Sequence, residues 1–177
     1  NQGIELSLYG SIIKKGDFEW SARANWAANR NKVLELSDDL TTFQLASVQG
    51  GITIEAEVGQ PYGVIKGTNY VYDEKSGEPI VYPHPFGGMR YAKTASPEVI
   101  GNMLPDWNAG LTNTLRYKNF SASALIDIQK GGDFFSLDTW YGYGTGIYDF
   151  TAGTNDKGNP VRSDVEDGGG LPIGGVV

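Results

Sequence analysis

The sequence predicts an all-β protein of antiparallel, up-and-down strands. Three observations carry this. Apolar and polar residues alternate over stretches of roughly ten residues. The alternating stretches pair across very short turns, and long irregular segments separate the pairs.

The first stretch, GIELSLYGSIIKK, puts Ile4, Leu6, Leu8 and Ile12 on one face and Glu5, Ser7, Tyr9 and Ser11 on the other. Gly16-Asp17 marks a turn. In FEWSARANWAANRNK, Phe18, Trp20, Ala22, Ala24, Trp26 and Ala28 share one face, opposite Glu19, Ser21, Arg23, Asn25 and Asn29. A helix would scatter both sets around its cylinder, since it turns by about 100° per residue. A second hairpin repeats the design. Trp107, Ala109, Leu111, Leu115 and Tyr117 alternate with Asn108, Gly110, Thr112, Thr114 and Arg116. After Lys118-Asn119, Phe120, Ala122, Ala124, Ile126 and Ile128 alternate with Ser121, Ser123, Asp127 and Gln129, and Leu125 breaks the polar set.

Between these hairpins the pattern is weaker. Gly51–Val58 alternates over a shorter span, and Gly63–Asp73 is rich in β-branched and aromatic residues without a clean face. Gly59-Gln60-Pro61 is the turn signal between them. The segments Arg30–Gly50, Glu74–Asp106 and the tail from Gly131 read as long loops. If the turns at Lys15-Gly16 and Lys118-Asn119 lie on one side, an even number of strands must separate the two hairpins. The middle pair supplies two, with Gly59-Gln60-Pro61 on that same side. The three long segments then fall on the opposite side.

Composition narrows the function classes. The 177 residues would allow one domain, and 40% hydrophobic content argues against disorder. A net charge of -7 makes a phosphate-backbone partner a poor fit, so no nucleic-acid binding is expected. Without cysteine there is no disulfide framework and no thiolate ligand or nucleophile. His84 is the only histidine and lies between Pro83 and Pro85, in a loop, so neither His-based catalysis nor a His-cluster metal site is expected. Asp73–Gly77 and Asn155–Asn159 resemble calcium loops but lack the ligand spacing, and both read as turns. Gly142-x-Gly144-x-Gly146 lacks the βαβ context of a dinucleotide fingerprint. No cofactor, no metal and no catalytic residues are expected, and the protein is not expected to be an enzyme.

No apolar run reaches the length of a transmembrane helix, and the first residues lack a basic leader, so no signal peptide is expected. The chain reads as beginning inside a longer protein. Alternation itself admits two architectures. In a soluble β-sandwich the apolar face turns inward. In a membrane barrel it meets lipid while the polar face lines a wet interior, with short turns on one side and long loops on the other.

Four segments carry a family resemblance: EWSARANWAANRNKVLELSD, EVGQPYGVIKGTNYVYDEKSGEPIV, LPDWNAGLTNTLRYKNFSASALIDIQKGGDFFSLDTWYGYGTGIY and NDKGNPVR. Together they resemble the late barrel region of SusC-like TonB-dependent outer-membrane transporters. The family pattern G-N-x-x-P-D-W…G-L-T-N-T…Y-K-N-F…L-I-D…K-G-G-D is matched by Gly101, Asn102, Pro105, Asp106, Trp107, Gly110 to Thr114, Tyr117 to Phe120, Ile126, Asp127 and Lys130 to Asp133. Met103-Leu104 departs from it, where the family more often has proline and a polar residue.

The resemblance implies antiparallel strands forming part of a large transmembrane β-barrel with long extracellular loops, residues 1–177 supplying about six of about 22 strands and no plug. It implies import of glycan fragments or peptides across the outer membrane of a Gram-negative bacterium. The implied partners are a SusD-like surface lipoprotein, TonB acting through a missing N-terminal part, an oligosaccharide or peptide substrate, and outer-membrane lipid. The alternative reading is a soluble β-rich carbohydrate-binding module. In either case Trp140, Tyr141, Tyr143 and Tyr148 are the candidate contacts for substrate or partner, since aromatic faces anchor such ligands. The competing role for them is loop packing or an interfacial girdle.

Overall fold

The computed structural model describes residues 1–37, 39–85 and 87–177. Its strands are β1 (Gln2–Lys15), β2 (Phe18–Arg30), β3 (Thr42–Val48), β4 (Ile52–Glu57), β5 (Val64–Gly67), β6 (Val81–Pro83), β7 (Met89–Tyr91), β8 (Glu98–Asn102), β9 (Pro105–Tyr117) and β10 (Phe120–Gly131). The α-helix α1 (Leu137–Thr145) follows, and then two single 3-10 turns, Asp149–Thr151 and Val165–Asp167. The all-β, antiparallel expectation holds. The chain divides into two compact units: Asn1–Leu45 with Ile54–Ile65 and Gly101–Phe134, and Ala46–Thr53 with Lys66–Ile100 and Phe135–Val177. The sheets have strand orders β1-β2-β9-β10, β3-β4-β5-β8 and β6-β7.

The long sheet of the first unit sorts side chains by face because pairing follows the two-residue repeat of a strand. One face carries the cross-strand rows Leu6–Trp26–Ala109–Ile128, Leu8–Ala24–Leu111–Ile126, Ile13–Trp20–Leu115–Ala122 and Lys15–Phe18–Tyr117–Phe120. The other carries Glu5–Ala27–Asn108–Gln129, Ser7–Asn25–Gly110–Asp127, Ser11–Ser21–Thr114–Ser123 and Lys14–Glu19–Arg116–Ser121. Lys15 and Ala27 in these rows, and Lys130 beyond them, depart from this sorting, as do Asn113 and Leu125. Asn113 sits in an apolar row between Ala22 and Ala124, where its Oδ1 accepts a hydrogen bond from Trp20 Nε1 at 3.2 Å. Leu125 lies in the row of Tyr9, Arg23 and Thr112.

A bulge in β1 corrects one sequence assignment. The register shifts between Ser11 and Ile13, so Ile13 and not Ile12 pairs with Trp20 in the apolar row. A bulge adds one residue to one strand, which the alternating pattern alone cannot reveal.

Both short turns lie at one end of this sheet. Lys15 pairs with Phe18, Phe18 with Tyr117 and Tyr117 with Phe120, and the Lys118 amide donates to Asp17 O at 3.1 Å. The reason differs from the expected one. β2 pairs directly with β9, so no strand pair is interposed, and the whole segment 31–104 leaves from the opposite end. The Gly59–Gln60 turn belongs to that opposite end: Gly59 N donates to Val33 O at 2.8 Å and Val33 N to Gln60 O at 2.9 Å, three residues beyond the end of β2. Residues 42–48, expected in a loop, form β3 instead.

The residues of the Gly-Asn and Lys-Gly-Gly-Asp motifs meet at this opposite end. Asp133 Oδ2 accepts from the Asn102 amide at 2.9 Å, and the Asp133 amide donates to Asn102 O at 2.7 Å. Asn102 Oδ1 accepts from the Leu104 amide at 3.0 Å. Gly131, at φ 77°, has no room for a Cβ against Asp106. Asp106 in turn holds Arg30, whose Nη1 donates to Asp106 O at 2.8 Å and whose Nη2 lies 3.6 Å from Oδ1. These motif residues therefore build the corner where the chain enters β9 and leaves β10.

Among the described residues, buried apolar ones are few: Ala56, Val64 and Ile65 in the first unit, Ile52 and Val81 in the second. The apolar face of the long sheet is not among them. β1 and β10 are exposed throughout, with Leu8 at 74% and Phe120 at 80%. A sandwich would bury that face against a second sheet.

Candidate functional site

The candidate aromatic residues lie in the second unit, on α1 and just after it. The helix starts because Ser136, in an extended conformation, caps it: its Oγ accepts from the Thr139 amide at 3.2 Å, and Asp138 stands in the first turn. It stops at Gly146, which adopts φ 71° and returns its amide to Gly142 O at 2.9 Å. Arg162 closes that end, donating from Nε to Thr151 O at 3.0 Å and from Nη2 to Gly146 O.

Trp140, Tyr141 and Tyr143 line an open cleft of about 710 Å³ together with Gly144 and Thr145. The Trp140 ring packs edge-on against Tyr141, with centroids 5.0 Å apart. Behind it, the Gln49–Gly50 turn supports the helix. A Cβ on Gly50 would come within 3.4 Å of the Trp140 indole, and the Tyr141 hydroxyl donates to Gln49 Oε1 at 2.5 Å. Thr145 Oγ1 donates to Tyr141 O at 2.8 Å. Trp140 and Tyr141 are thus held in place yet remain about half exposed, at 47% and 45%. No lining side chain is charged, so the cleft offers ring faces and hydroxyls to an uncharged surface.

Tyr148 does not line the cleft. Its ring lies over Gly142, where any Cβ would overlap it, stacks with Phe150 at 5.8 Å and meets Tyr143 edge-on at 5.6 Å. The structure therefore brings three of the four aromatic residues together as a surface and uses the fourth as their backing. Gln49 and Gly50 were missed by the sequence reading. The signal was present in the Gly50-Gly51 pair, both at positive φ, but a paired glycine marks a turn and not what rests on it.

The other sequence candidates are accounted for by turns. Asp73 Oδ2 accepts from the amides of Lys75 and Ser76 and from the Ser76 hydroxyl, closing a tight loop. Asn155 Oδ1 accepts from the amides of Lys157 and Asn159, while its Nδ2 donates to Gly168 O and Gly170 O. His84 lies in the turn between β6 and β7, its amide donating to Gly88 O at 2.9 Å. Among the described residues no helix is long and apolar enough to cross a membrane, a statement that does not bear on strands.

No family model matches the chain. Among curated proteins it is similar to TonB-dependent receptor P3 of Formosa agariphila, at 27% identity over 186 residues that cover 94% of this chain and 18% of that receptor. It is also similar to TonB-dependent receptor P26 of the same organism, at 28% identity over 151 residues, 77% of this chain and 15% of the receptor. TonB-dependent receptor P39 matches at 23% identity over 181 residues, 76% of this chain and 17% of the receptor. The chain thus spans less than a fifth of the length of each of these relatives.

Proposed function

From its similarity to TonB-dependent receptors, we propose that this chain forms part of the barrel wall and outer loops of a SusC-like outer-membrane transporter. The observation that carries this reading is the sorted sheet β1-β2-β9-β10, with one exposed apolar face and one polar face. Its apolar face also has a suitable height. From Phe120 to Lys130, β10 rises about 34 Å at roughly 3.4 Å per residue. Tilted by about 35–45°, that covers about 24–28 Å along the membrane normal, against an apolar band of about 25 Å in outer-membrane barrels. Ser121, Ser123 and Asp127 then face the lumen, and Phe120, Ala122, Ala124, Ile126 and Ile128 face lipid.

On this reading the short turns at Gly16-Asp17 and Lys118-Asn119 are periplasmic, and segments 31–104 and 132–177 lie outside the cell. The aromatic cleft on α1 would then stand where cargo or a surface partner arrives. We assign it to contact with an oligosaccharide or peptide substrate, or with a SusD-like lipoprotein. The whole receptor would import that cargo by transport, not by catalysis, energised by TonB through a part outside this chain. The soluble carbohydrate-binding module is disfavoured by the exposed apolar face, which a soluble domain would cover.

Paired arginine substitutions in the full-length receptor test the membrane placement. Ala24→Arg, on the apolar face, is expected to destabilise the refolded receptor by about 2–4 kcal/mol near the bilayer midplane. Asn25→Arg, on the polar face, is expected to cost far less. Equal, small losses at both positions would remove the reading.

A further inference from the structure

We infer that the apolar face of the long sheet carries a seat for one phosphate-bearing membrane lipid, its acyl chain in a groove over Ala24 and its headgroup at Lys130. The inference rests on the barrel reading above and adds a particular lipid site to it. The groove is a concavity of about 350 Å³. Leu6, Leu8, Trp26, Leu111 and Ile128 form its walls, the small side chains of Ala24 and Ala109 leave its floor open, and Asn25 and Gly110 also line it. Its apolar side chains stand in two adjacent cross-strand rows, Leu6–Trp26–Ala109–Ile128 and Leu8–Ala24–Leu111–Ile126. The neighbouring row Gly10–Ala22–Asn113–Ala124 is also built of small residues, and Trp20 and Leu115 fill the row beyond it, that of Ala122.

The next row on this face, toward the loop end, is Lys130 beside Trp107. Lys130 thus stands one row beyond the groove on the same face, paired with Trp107, which is the arrangement expected at the level of lipid headgroups. Arg30, another cation at this end, is already held by Asp106. An apolar channel with a cation in the row at one end fits an acyl chain bearing an anionic headgroup, and the phosphate of a membrane lipid supplies that charge.

The test uses the full-length receptor, delipidated in a non-ionic detergent and titrated with dioleoyl phosphatidylglycerol, with bound lipid counted by native mass spectrometry. Wild type is expected to bind one lipid saturably. Ala24→Phe, which fills the floor of the groove, should abolish that binding. Lys130→Gln should weaken it about fivefold, the worth of one cation near an anionic surface. Ala122→Phe, on the same face outside the groove, should leave it unchanged. Absence of saturable binding, or equal effects of Ala24→Phe and Ala122→Phe, would overturn the inference and leave only a general lipid belt. Insertion of the same preparations into dioleoyl phosphatidylcholine vesicles separates this from failure of the barrel reading. A receptor that inserts but binds no lipid saturably contradicts the site alone, whereas one that does not insert contradicts both.

Discussion

Lys118 holds a φ of 52° at the first position of its two-residue hairpin loop. For an L-residue that region brings Cβ close to the carbonyl, at a cost of about 1–2 kcal/mol, and glycine escapes this while giving up some entropy. The matching position of the other hairpin is Gly16, at φ 56°. Lys118→Gly is therefore expected to stabilise the receptor by about 0.5–1 kcal/mol, read as a higher denaturant midpoint on refolding; a lower midpoint would show that the lysine side chain contributes more than its backbone costs. Asp73 is a second residue with a defined local task. The Ser76 amide foremost, then the Ser76 hydroxyl and the Lys75 amide, hold its carboxyl below the usual carboxylate range. A folded pKa below the unfolded one means that the ionised turn is fully favoured above the unfolded value and is lost only as pH falls through the folded value. The turn should thus be closed throughout the neutral range and open in strong acid. Asp73→Ala should open it at neutral pH, exposing the bond after Lys75 to trypsin, and unchanged cleavage would show that the carboxylate is dispensable there.

Helix α1 is the element on which the proposed contact depends. Its stability at nine residues rests on its ends and on the packing behind it, because so short a helix is marginal alone. Ser136→Ala removes the N-cap and should cost about 1 kcal/mol. Trp140→Ala removes the central ring of the cleft and should weaken cargo uptake or lipoprotein co-purification by the 2 kcal/mol or more typical of a buried anchor. With surface expression held equal, no change in either would mean that the aromatic cleft is only structural. The sequence signals for this helix were partly legible: Ser136 and Gly146 stand at its two ends as caps. Gly142 and Gly144 concealed it, because glycine in a helix interior lowers propensity and a glycine-aromatic run reads as loop. Gly142 is there for a different reason, to admit the Tyr148 ring against the helix backbone. That pairing joins residues separated by the whole end of α1, and no local pattern encodes it. The four aromatic residues were therefore legible as a group, but not the division of labour between Trp140, Tyr141 and Tyr143 on one side and Tyr148 on the other.

At the scale of the molecule, two-residue alternation made the four long strands and their faces readable, since each side chain's face follows from its place in the strand. Partner choice was less readable. Nothing in Gly51–Val58 or Gly63–Asp73 announces that β2 skips the middle of the chain and pairs with β9, because strand pairing at long range is decided by the assembled sheet. The sheet that results has β1 and β10 as its edges, and edge strands of this length leave rows of unpaired backbone groups. A barrel removes such edges by closure, which is what lipid requires of any spanning sheet. The central claim is that the two faces of this sheet meet lipid and water. Single cysteines placed at Ser121, Ala122, Ser123 and Ala124 in the full-length receptor, probed in intact outer membranes with a membrane-impermeant thiol reagent after controlled opening of the cells, test it most directly. The account predicts labelling at Ser121→Cys and Ser123→Cys and protection at Ala122→Cys and Ala124→Cys. Labelling of the even positions instead, or of all four alike, would contradict it.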